Sequence, residues 1–207
     1  MTETIKAIQK KVGVTADGII GKQTIAAIAK ALGVNTSSVS TPSTPSTSST
    51  SKFPTQAQVR ANTSIFGKAG DESNLVNVTP PYQLYYCGKA VKTIRVHKLI
   101  ADNVKNALKE ILAHYGINEI KRLGLDQYSG SYNYRKSTNS SSLSMHAWGI
   151  ALDFCAEKNG MYTKKPQASL SHPDCEMWWK IWEKHGAVSL GRELDMDWMH
   201  LQFSRLK

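Results

Sequence analysis

The sequence predicts an α+β fold, in which a domain with a mainly antiparallel sheet and flanking helices follows a small helical module. Apolar residues recur at helical spacing in residues 99–115 and again in residues 176–185. Four short segments of alternating, β-branched or aromatic residues lie between and around these stretches, as expected for strands. A run of Ser, Thr and Pro at residues 36–51 separates this part of the chain from the N-terminal module.

The Ser/Thr/Pro run sets the domain boundaries. Residues 36–51 read TSSVSTPSTPSTSSTS, in which Val39 is the only residue of another type. Such a composition cannot bury a core, and its prolines keep the chain extended. We therefore assign a helical module to residues 1–34, a linker to residues 35–55 and the main domain to residues 56–207.

The N-terminal module is predicted to form two short amphipathic helices, and Ile5 and Ile8 share one face of the first. Periodicity alone favours a helical hairpin without a ligand. Ile8-Gln9 followed by DGIIGKQT at residues 17–24, however, resembles the short helical peptidoglycan-binding repeat, whose turn reads DGxxGxxT. The resemblance implies that the module binds the cell wall. In the second helix the apolar positions i, i+3, i+4 and i+7 are Ile25, Ile28, Ala29 and Leu32.

The main domain is predicted to contain two helices and four strands. The first helix covers residues 99–115 and ends at Gly116, because glycine commonly terminates a helix. The second covers residues 176–185, between Pro173-Asp174 and Gly186, and its aromatic stripe is expected in the core. The predicted strands are residues 82–86, 91–96, 149–154 and 199–203.

Charge and hydropathy exclude several classes of protein. The net charge of +10 favours a polyanionic partner, but Lys and Arg lack the clustering of a nucleic-acid module, so no nucleic acid is expected. No segment approaches the roughly 20 consecutive apolar residues that span a bilayer, so no membrane insertion is expected. The N-terminus shows no basic stretch followed by an apolar run, so we expect the protein in the cytoplasm of the producing cell, without a Sec signal.

The three cysteines predict reduced thiols. Cys87, Cys155 and Cys175 are odd in number, have unrelated spacings and form no CxxC pair. A disulfide framework or a structural zinc knuckle built on cysteine is therefore not expected.

A carboxylate stands out in the strand predicted at residues 149–154. Asp153 shares a strand face with the small residue Ala151, while three larger apolar residues occupy the other face. Burying a carboxylate alone would cost several kcal/mol, so Asp153 needs a partner. His146 lies in the loop just upstream, close enough to fold back over that face.

A second strand supplies another histidine. Alternation places His200 and Gln202 on the face opposite to the apolar residues of the strand at 199–203. Two histidines and one carboxylate suffice to bind catalytic zinc and leave a position open for water. Zinc lowers the pKa of water from about 15.7 to near 7, and a second carboxylate must take the proton. Asp197, three residues before His200, is placed for that role.

Spacing alone does not decide in favour of a metal site, because a histidine near a strand is more often an ordinary hydrogen-bonded residue. The family resemblance changes this balance. S-x-H-x-x-G-x-A-x-D at residues 144–153, followed by D-x-x-H at residues 197–200, resembles the paired signature of the zinc D-Ala-D-Ala carboxypeptidase and L-alanyl-D-glutamate endopeptidase family. Landmarks at Pro80-Pro81, residues 95–98 and residues 132–135 extend the resemblance to about residues 74–205. The histidines expected at the surface, at helix ends or behind the ligands are His97, His114, His172 and His185.

The resemblance implies a role for each signature residue. His146, Asp153 and His200 would bind Zn²⁺, and Asp197 would be the general base, a position where many family members have Glu. Aspartate is shorter, so the water must lie closer or the loop must shift, but the chemistry is unchanged.

Two further residues are candidates for contacts with substrate. Arg135 matches a family arginine that contacts substrate or stabilises the oxyanion, a task that suits a fixed guanidinium. The alternative for Arg135 is a solvated loop arginine. Ser144 either contacts substrate or only terminates the loop at residues 137–142.

The resemblance thus implies a modular, monomeric peptidoglycan hydrolase of the endolysin type. It would accumulate inside the producing cell and act on the cell wall after release, as in phage lysis. Cleavage of the L-alanyl-D-glutamate bond is the favoured activity. The alternatives are a D-Ala-D-Ala carboxypeptidase with the same metal centre and a non-catalytic wall-binding protein with structural zinc.

Overall fold

The computed structural model describes residues 2–14, 16, 22–33 and 53–207. The chain divides into two compact units, Met1–Thr47 and Ser48–Lys207, which are described separately. The predicted turn at residues 17–21 and all but the last three residues of the predicted linker at 35–55 lie outside the described residues. Within the described ranges, no helix combines the length and the apolar character needed to cross a membrane.

The first unit contains the two predicted helices, α1 (Thr2–Lys11) and α2 (Lys22–Ala31). Gln9 and Thr24 are buried, and the Gln9 side-chain amide donates a hydrogen bond to the Thr24 hydroxyl at 3.1 Å. Leu32 was expected on the apolar face but is 72% exposed, because it lies in the turn after the last residue of α2.

Both helices predicted in the second unit are present, but their lengths differ from the predicted ones. The helix predicted to end at Gly116 is interrupted there, where φ is 68° and ψ is 163°, but a second helical segment continues to Leu123. It ends at Gly124 in the left-handed conformation. The four helices described here are α3 (Gln56–Arg60), α4 (Ala101–Leu123), α5 (Glu176–Lys184) and α6 (Leu190–Leu194).

All strand pairings named in the structure are antiparallel, which confirms the predicted α+β class. The prediction of a single strand at residues 91–96 is wrong. Val91 ends one strand and Ile94 begins another in a different sheet, because the β-branched composition continues across the turn between them.

The strands form three sheets in the described part of the chain, two of two strands and one of four. The two-stranded sheets pair β1 (Leu75–Val78) with β4 (Ile94–His97) and β2 (Leu84–Tyr86) with β3 (Lys89–Val91). The four-stranded sheet contains β5 (Tyr128–Gly130), β6 (Ala151–Phe154), β7 (Val188–Ser189) and β8 (His200–Gln202), in the order β5-β6-β8-β7.

The four-stranded sheet is buried where β6 and β8 pair. Phe154 of β6 packs against Trp178 and Trp182 of α5, with ring centroids 5.0 and 5.9 Å apart. Both tryptophans are fully buried, which confirms the aromatic stripe of α5 as core. Every residue of β6 and β8 is buried, so polar side chains on these strands lie in a low-dielectric interior.

Candidate metal centre

Strand pairing places Asp153 and His200 side by side. β6 and β8 pair so that Asp153 lies directly opposite His200, and side chains at such positions point to the same face. The Asp153 carboxylate Oδ1 and the His200 Nδ1 are 3.0 Å apart. The two residues are 9% and 7% exposed. The partner that the sequence required for a buried Asp153 is therefore present.

A tight turn before β6 adds His146. Met145–Trp148 form a 3₁₀ turn, in which the Ser144 hydroxyl accepts a hydrogen bond from the His146 backbone N–H. Gly149 then reverses the chain with φ of 67°, and an added Cβ would lie 3.2 Å from the His97 backbone nitrogen, so this position favours glycine. The reversal leaves His146 Nε2 3.2 Å from Asp153 Oδ2.

The hydrogen bonds of His146 leave a lone pair for a metal. Its Nδ1 contacts the Ser131 carbonyl, which can only accept, so Nδ1 carries a hydrogen, and in the neutral imidazole the lone pair is on Nε2. Within the described residues Nε2 is buried without a hydrogen-bond partner, although it lies near the Asp153 carboxylate. Histidine ligands commonly donate their other ring N–H to a carbonyl in this way.

The three side chains fit a zinc ion. His146, Asp153 and His200 each offer one ligand atom, and these atoms lie within 4.8 Å of one another. Two imidazole nitrogens and one carboxylate oxygen are a donor set typical of catalytic zinc. The unpartnered Nε2 of His146 is the observation that favours an ion here, because buried polar atoms are normally satisfied.

Mutual interactions shift the pKa values of this group. Burial opposes the ionisation of Asp153, but the adjacent imidazoles of His146 and His200 outweigh it and hold the pKa of that carboxyl below its usual range. Burial likewise opposes the charged form of His200, but the Asp153 carboxylate raises the pKa of that imidazole. Zinc must displace the proton from His200, so metal and proton compete for the site.

Gln202 fixes the orientation of the His200 ring. Its amide nitrogen donates to the Ser204 carbonyl and hydroxyl, both at 2.9 Å, so its oxygen must face His200. That oxygen accepts hydrogen bonds from His200 Nε2 at 3.2 Å and from the Gln56 side chain at 3.1 Å. With the hydrogen on Nε2, the Nδ1 lone pair of His200 faces the proposed metal position.

Replacing Gln202 by leucine is expected to weaken zinc binding roughly 10- to 100-fold, the usual cost of losing a hydrogen bond behind a metal ligand. Competition with a chelating dye would measure the affinity, and thermal unfolding would check the fold. Gln56→Leu is the matched control, because Gln202 remains held by Ser204, and it should change zinc affinity much less. Equal zinc affinity in the parent and Gln202→Leu would contradict this role.

Asp197 lies beside the metal group without belonging to it. Its backbone has φ of 53°, and its carbonyl accepts a hydrogen bond from the His200 N–H at 2.9 Å. Its Oδ1 is buried and has no hydrogen-bond partner among the described residues. Burial raises the pKa of Asp197, against the opposing charge of His200, and Asp153 raises it further. A carboxylate in this state is ready to accept a proton.

Asp195 has a different task. Its Oδ1 accepts hydrogen bonds from the Trp198 indole at 2.9 Å and from the Lys165 backbone N–H at 3.1 Å. These bonds hold the turn that leads into β8. Of the two aspartates in this turn, Asp197 alone has a buried oxygen without a partner.

A cavity of about 450 Å³ opens beside the metal group, and we call it the first cavity. His146, Asp153 and Arg135 line it. Arg135 is exposed, and its guanidinium donates to the Lys136 carbonyl at 3.1 Å. Ser144 is buried, does not line this cavity and caps the turn that carries His146.

Arg95 and Tyr132, which the sequence placed only among family landmarks, also line the first cavity. The Arg95 guanidinium lies 5.4 Å from the centre of the Tyr132 ring and forms an ion pair with Glu72 at 2.7 Å. The other histidines form no part of the metal group. His97, His172 and His185 lie at helix ends, and His114 is exposed.

One known protein shows limited similarity to this chain. Over 88 residues the chain is 31% identical to carboxypeptidase B of Bos taurus. These 88 residues make up 42% of this chain and 21% of the bovine protein. The matched segment thus spans about a fifth of that relative. No family model matches the chain, and no solved structure matches it significantly. The similarity and the His-Asp-His group are both compatible with a zinc peptidase in general, and the family inferred from the motifs stays a prediction.

Proposed function

We propose that this protein is a zinc peptidase that hydrolyses the peptide stems of bacterial peptidoglycan. One observation carries the catalytic part of the proposal. A group of two histidines and one aspartate with the chemistry of a zinc site lies beside the buried carboxylate of Asp197, one oxygen of which has no partner in the described structure. A purely structural zinc would need no such carboxylate.

Zinc bound by His146, Asp153 and His200 would supply a Lewis acid that polarises a peptide carbonyl and lowers the pKa of water to about 7. Asp197 takes the proton from the attacking water and passes it to the leaving amine. Arg135, at the cavity edge, stabilises the negative charge that develops on the carbonyl oxygen. Burial of the metal group and of the Asp197 carboxylate strengthens their electrostatic interactions, because the surrounding dielectric is low.

Peptidoglycan is the proposed substrate because three features of the sequence converge on it. They are the motif pair at residues 144–153 and 197–200, the DGxxGxxT-like turn at residues 17–24 and the net charge of +10, which suits an anionic wall. We place the action of the enzyme at the wall after release from the producing cell, as for a phage endolysin.

The favoured reaction is cleavage of the L-alanyl-D-glutamate bond. A D-Ala-D-Ala carboxypeptidase is the second candidate, and the partial identity to a protein named carboxypeptidase B favours it. Both reactions use the same metal group and differ in the cavity walls that receive the residues on either side of the scissile bond.

Mass spectrometry of purified cell walls incubated with the zinc-loaded protein tests the proposal. The expected result is a new amino terminus on D-glutamate and a new carboxyl terminus on L-alanine. Release of free D-alanine would instead identify the protein as a D-Ala-D-Ala carboxypeptidase. No new terminus, from walls of several chemotypes, would overturn the proposed function.

Deleting residues 1–50 is expected to leave cleavage of soluble wall peptides unchanged and to slow the lysis of intact walls about 10²-fold. The N-terminal module, once bound, would raise the local concentration of the peptidase at its substrate. The rates of full-length and shortened chains on both substrates, at several salt concentrations, measure the effect. Equal lysis of intact walls by the two chains would show that the module is not a wall anchor.

A further inference from the structure

A larger cavity, of about 840 Å³, adjoins the first one, and we call it the second cavity. Tyr86, Tyr128 and Ser129 line both cavities, so the two are adjacent and share these residues as a common wall. The mechanism proposed above uses only the first cavity. A volume of this size is in the range of protein ligand sites.

Strand β6 fixes the distance between the metal group and the second cavity. Asp153 lines the first cavity, and Cys155, two residues further along the chain, lines the second. At about 3.3 Å per residue, these positions are roughly 7 Å apart. An extended peptide whose scissile bond lies at the metal group would therefore reach the second cavity about two residues away.

Buried hydrogen bonds hold the wall of the second cavity in place. Asn159 is completely buried, and its amide nitrogen donates to the Cys155 carbonyl at 2.8 Å and to the Ser169 hydroxyl at 2.9 Å. Its oxygen accepts from the Leu170 N–H at 2.9 Å. Both Cys155 and Ser169 line the cavity, so these bonds fix that part of its wall.

The charged lining of the second cavity is mainly positive. Arg122 is largely neutralised, since it pairs with Glu119 at 2.8 Å and with Asp174 at 2.6 Å. Lys121 and Lys158 are exposed, and in the part of the chain that the structure describes neither forms an ion pair. Glu157 is the one acidic residue among the residues that line the cavity. Two lysine ammonium groups are thus available for an anionic ligand.

We propose that the second cavity is a substrate subsite that binds a carboxylate-bearing peptide segment about two residues from the scissile bond. Lys121 and Lys158 contact the carboxylate, and the wall that the two cavities share at Tyr86 and Tyr128 contacts the peptide. This inference rests on the proposed peptidase function, and it identifies the preferred substrate as an extended acidic peptide rather than a dipeptide.

Paired substrates test the subsite. Synthetic wall peptides are extended by three residues, on one side of the scissile bond in one set and on the other side in a second set. In each set, the second residue from the scissile bond carries either a carboxylate or a carboxamide. The Lys121→Glu/Lys158→Glu variant should lower kcat/KM for the preferred carboxylate peptide roughly tenfold, mainly by raising KM, because exposed charges contribute modestly. Its kcat/KM for the carboxamide peptide and for an unextended peptide should stay within about twofold of the parent value.

Lys105→Glu/Lys109→Glu is the matched control. These two lysines are exposed on α4, line neither cavity and give the same change in net charge. The control should cleave every peptide at the parent rate. Equal losses in both double variants, or equal losses on carboxylate and carboxamide peptides, would overturn the subsite.

Cys87 provides an independent probe, because it lines the second cavity and is the exposed cysteine of the three. Labelling it with a bulky maleimide should slow cleavage of the extended peptide and leave the unextended peptide unaffected. If the parent cleaves no peptide, the proposed function fails. The subsite is then tested separately by calorimetry, which measures the affinity of the zinc-loaded protein for the same peptides. Loss of carboxylate-peptide affinity in the Lys121/Lys158 variant alone would support the subsite, and equal affinities would refute it.

Discussion

Replacing His146 or His200 by alanine is expected to reduce bound zinc from about one ion per chain to nearly none and to abolish hydrolysis. Each change removes one of the three ligand atoms that lie within 4.8 Å of one another. A site with one histidine and one carboxylate binds zinc far more weakly, and metal binding and activity should therefore disappear together. Metal analysis by mass spectrometry, beside lysis rates, measures both.

His114→Ala is the matched control for these two variants. His114 is an exposed histidine on α4 that lines neither cavity and lies outside the metal group. Its replacement should leave zinc content and lysis unchanged. Full zinc content in both His146→Ala and His200→Ala would contradict the ligand assignment.

Replacing Asp197 by asparagine is expected to preserve zinc binding and folding while slowing hydrolysis roughly 10²- to 10⁴-fold, the usual contribution of a general base. The amide is nearly isosteric, and asparagine tolerates the positive φ of 53° at this position. What is lost is the ability of a buried, unpartnered oxygen to accept a proton. Lysis rates of variants with verified zinc content and thermal stability measure the effect.

Asp195→Asn is the comparison that makes this test specific. Asp195 holds the turn through hydrogen bonds from Trp198 and Lys165, so its replacement should affect stability more than chemistry. If Asp195→Asn abolished lysis while Asp197→Asn lysed walls at the parent rate, the base would be misassigned. If neither change mattered and the parent released no new termini, the structural-zinc alternative would take the place of the enzyme.

Local periodicity was enough to predict where the polar groups lie on the two central strands. Asp153 beside Ala151 on one strand and His200 beside Gln202 on the other follow from the two-residue repeat of β-structure. The reversal at Gly149 was not predicted, because that glycine was assigned to the strand at residues 149–154. The register that sets Asp153 opposite His200 was not predictable, because it depends on which strands pair across the chain.

The groups that orient the ligands depend on contacts remote in sequence. The Ser131 carbonyl that fixes the hydrogen of His146 is a backbone atom, which gives no side-chain signal. Gln202 was placed on the correct face, but its role also needs Gln56 from a distant helix. The helix continued past Gly116 because a glycine can interrupt a helix without ending it.

Mass spectrometry of a defined wall peptide, incubated with the metal-free protein and again after zinc is returned, tests the metal requirement most directly. We expect no cleavage by the metal-free protein and, with zinc, a single new pair of amino and carboxyl termini. His200→Ala treated identically should give none. Equal cleavage with and without zinc, or no cleavage of any wall peptide by the zinc-loaded parent, would contradict the claim that His146, Asp153 and His200 form the metal centre of a wall peptidase.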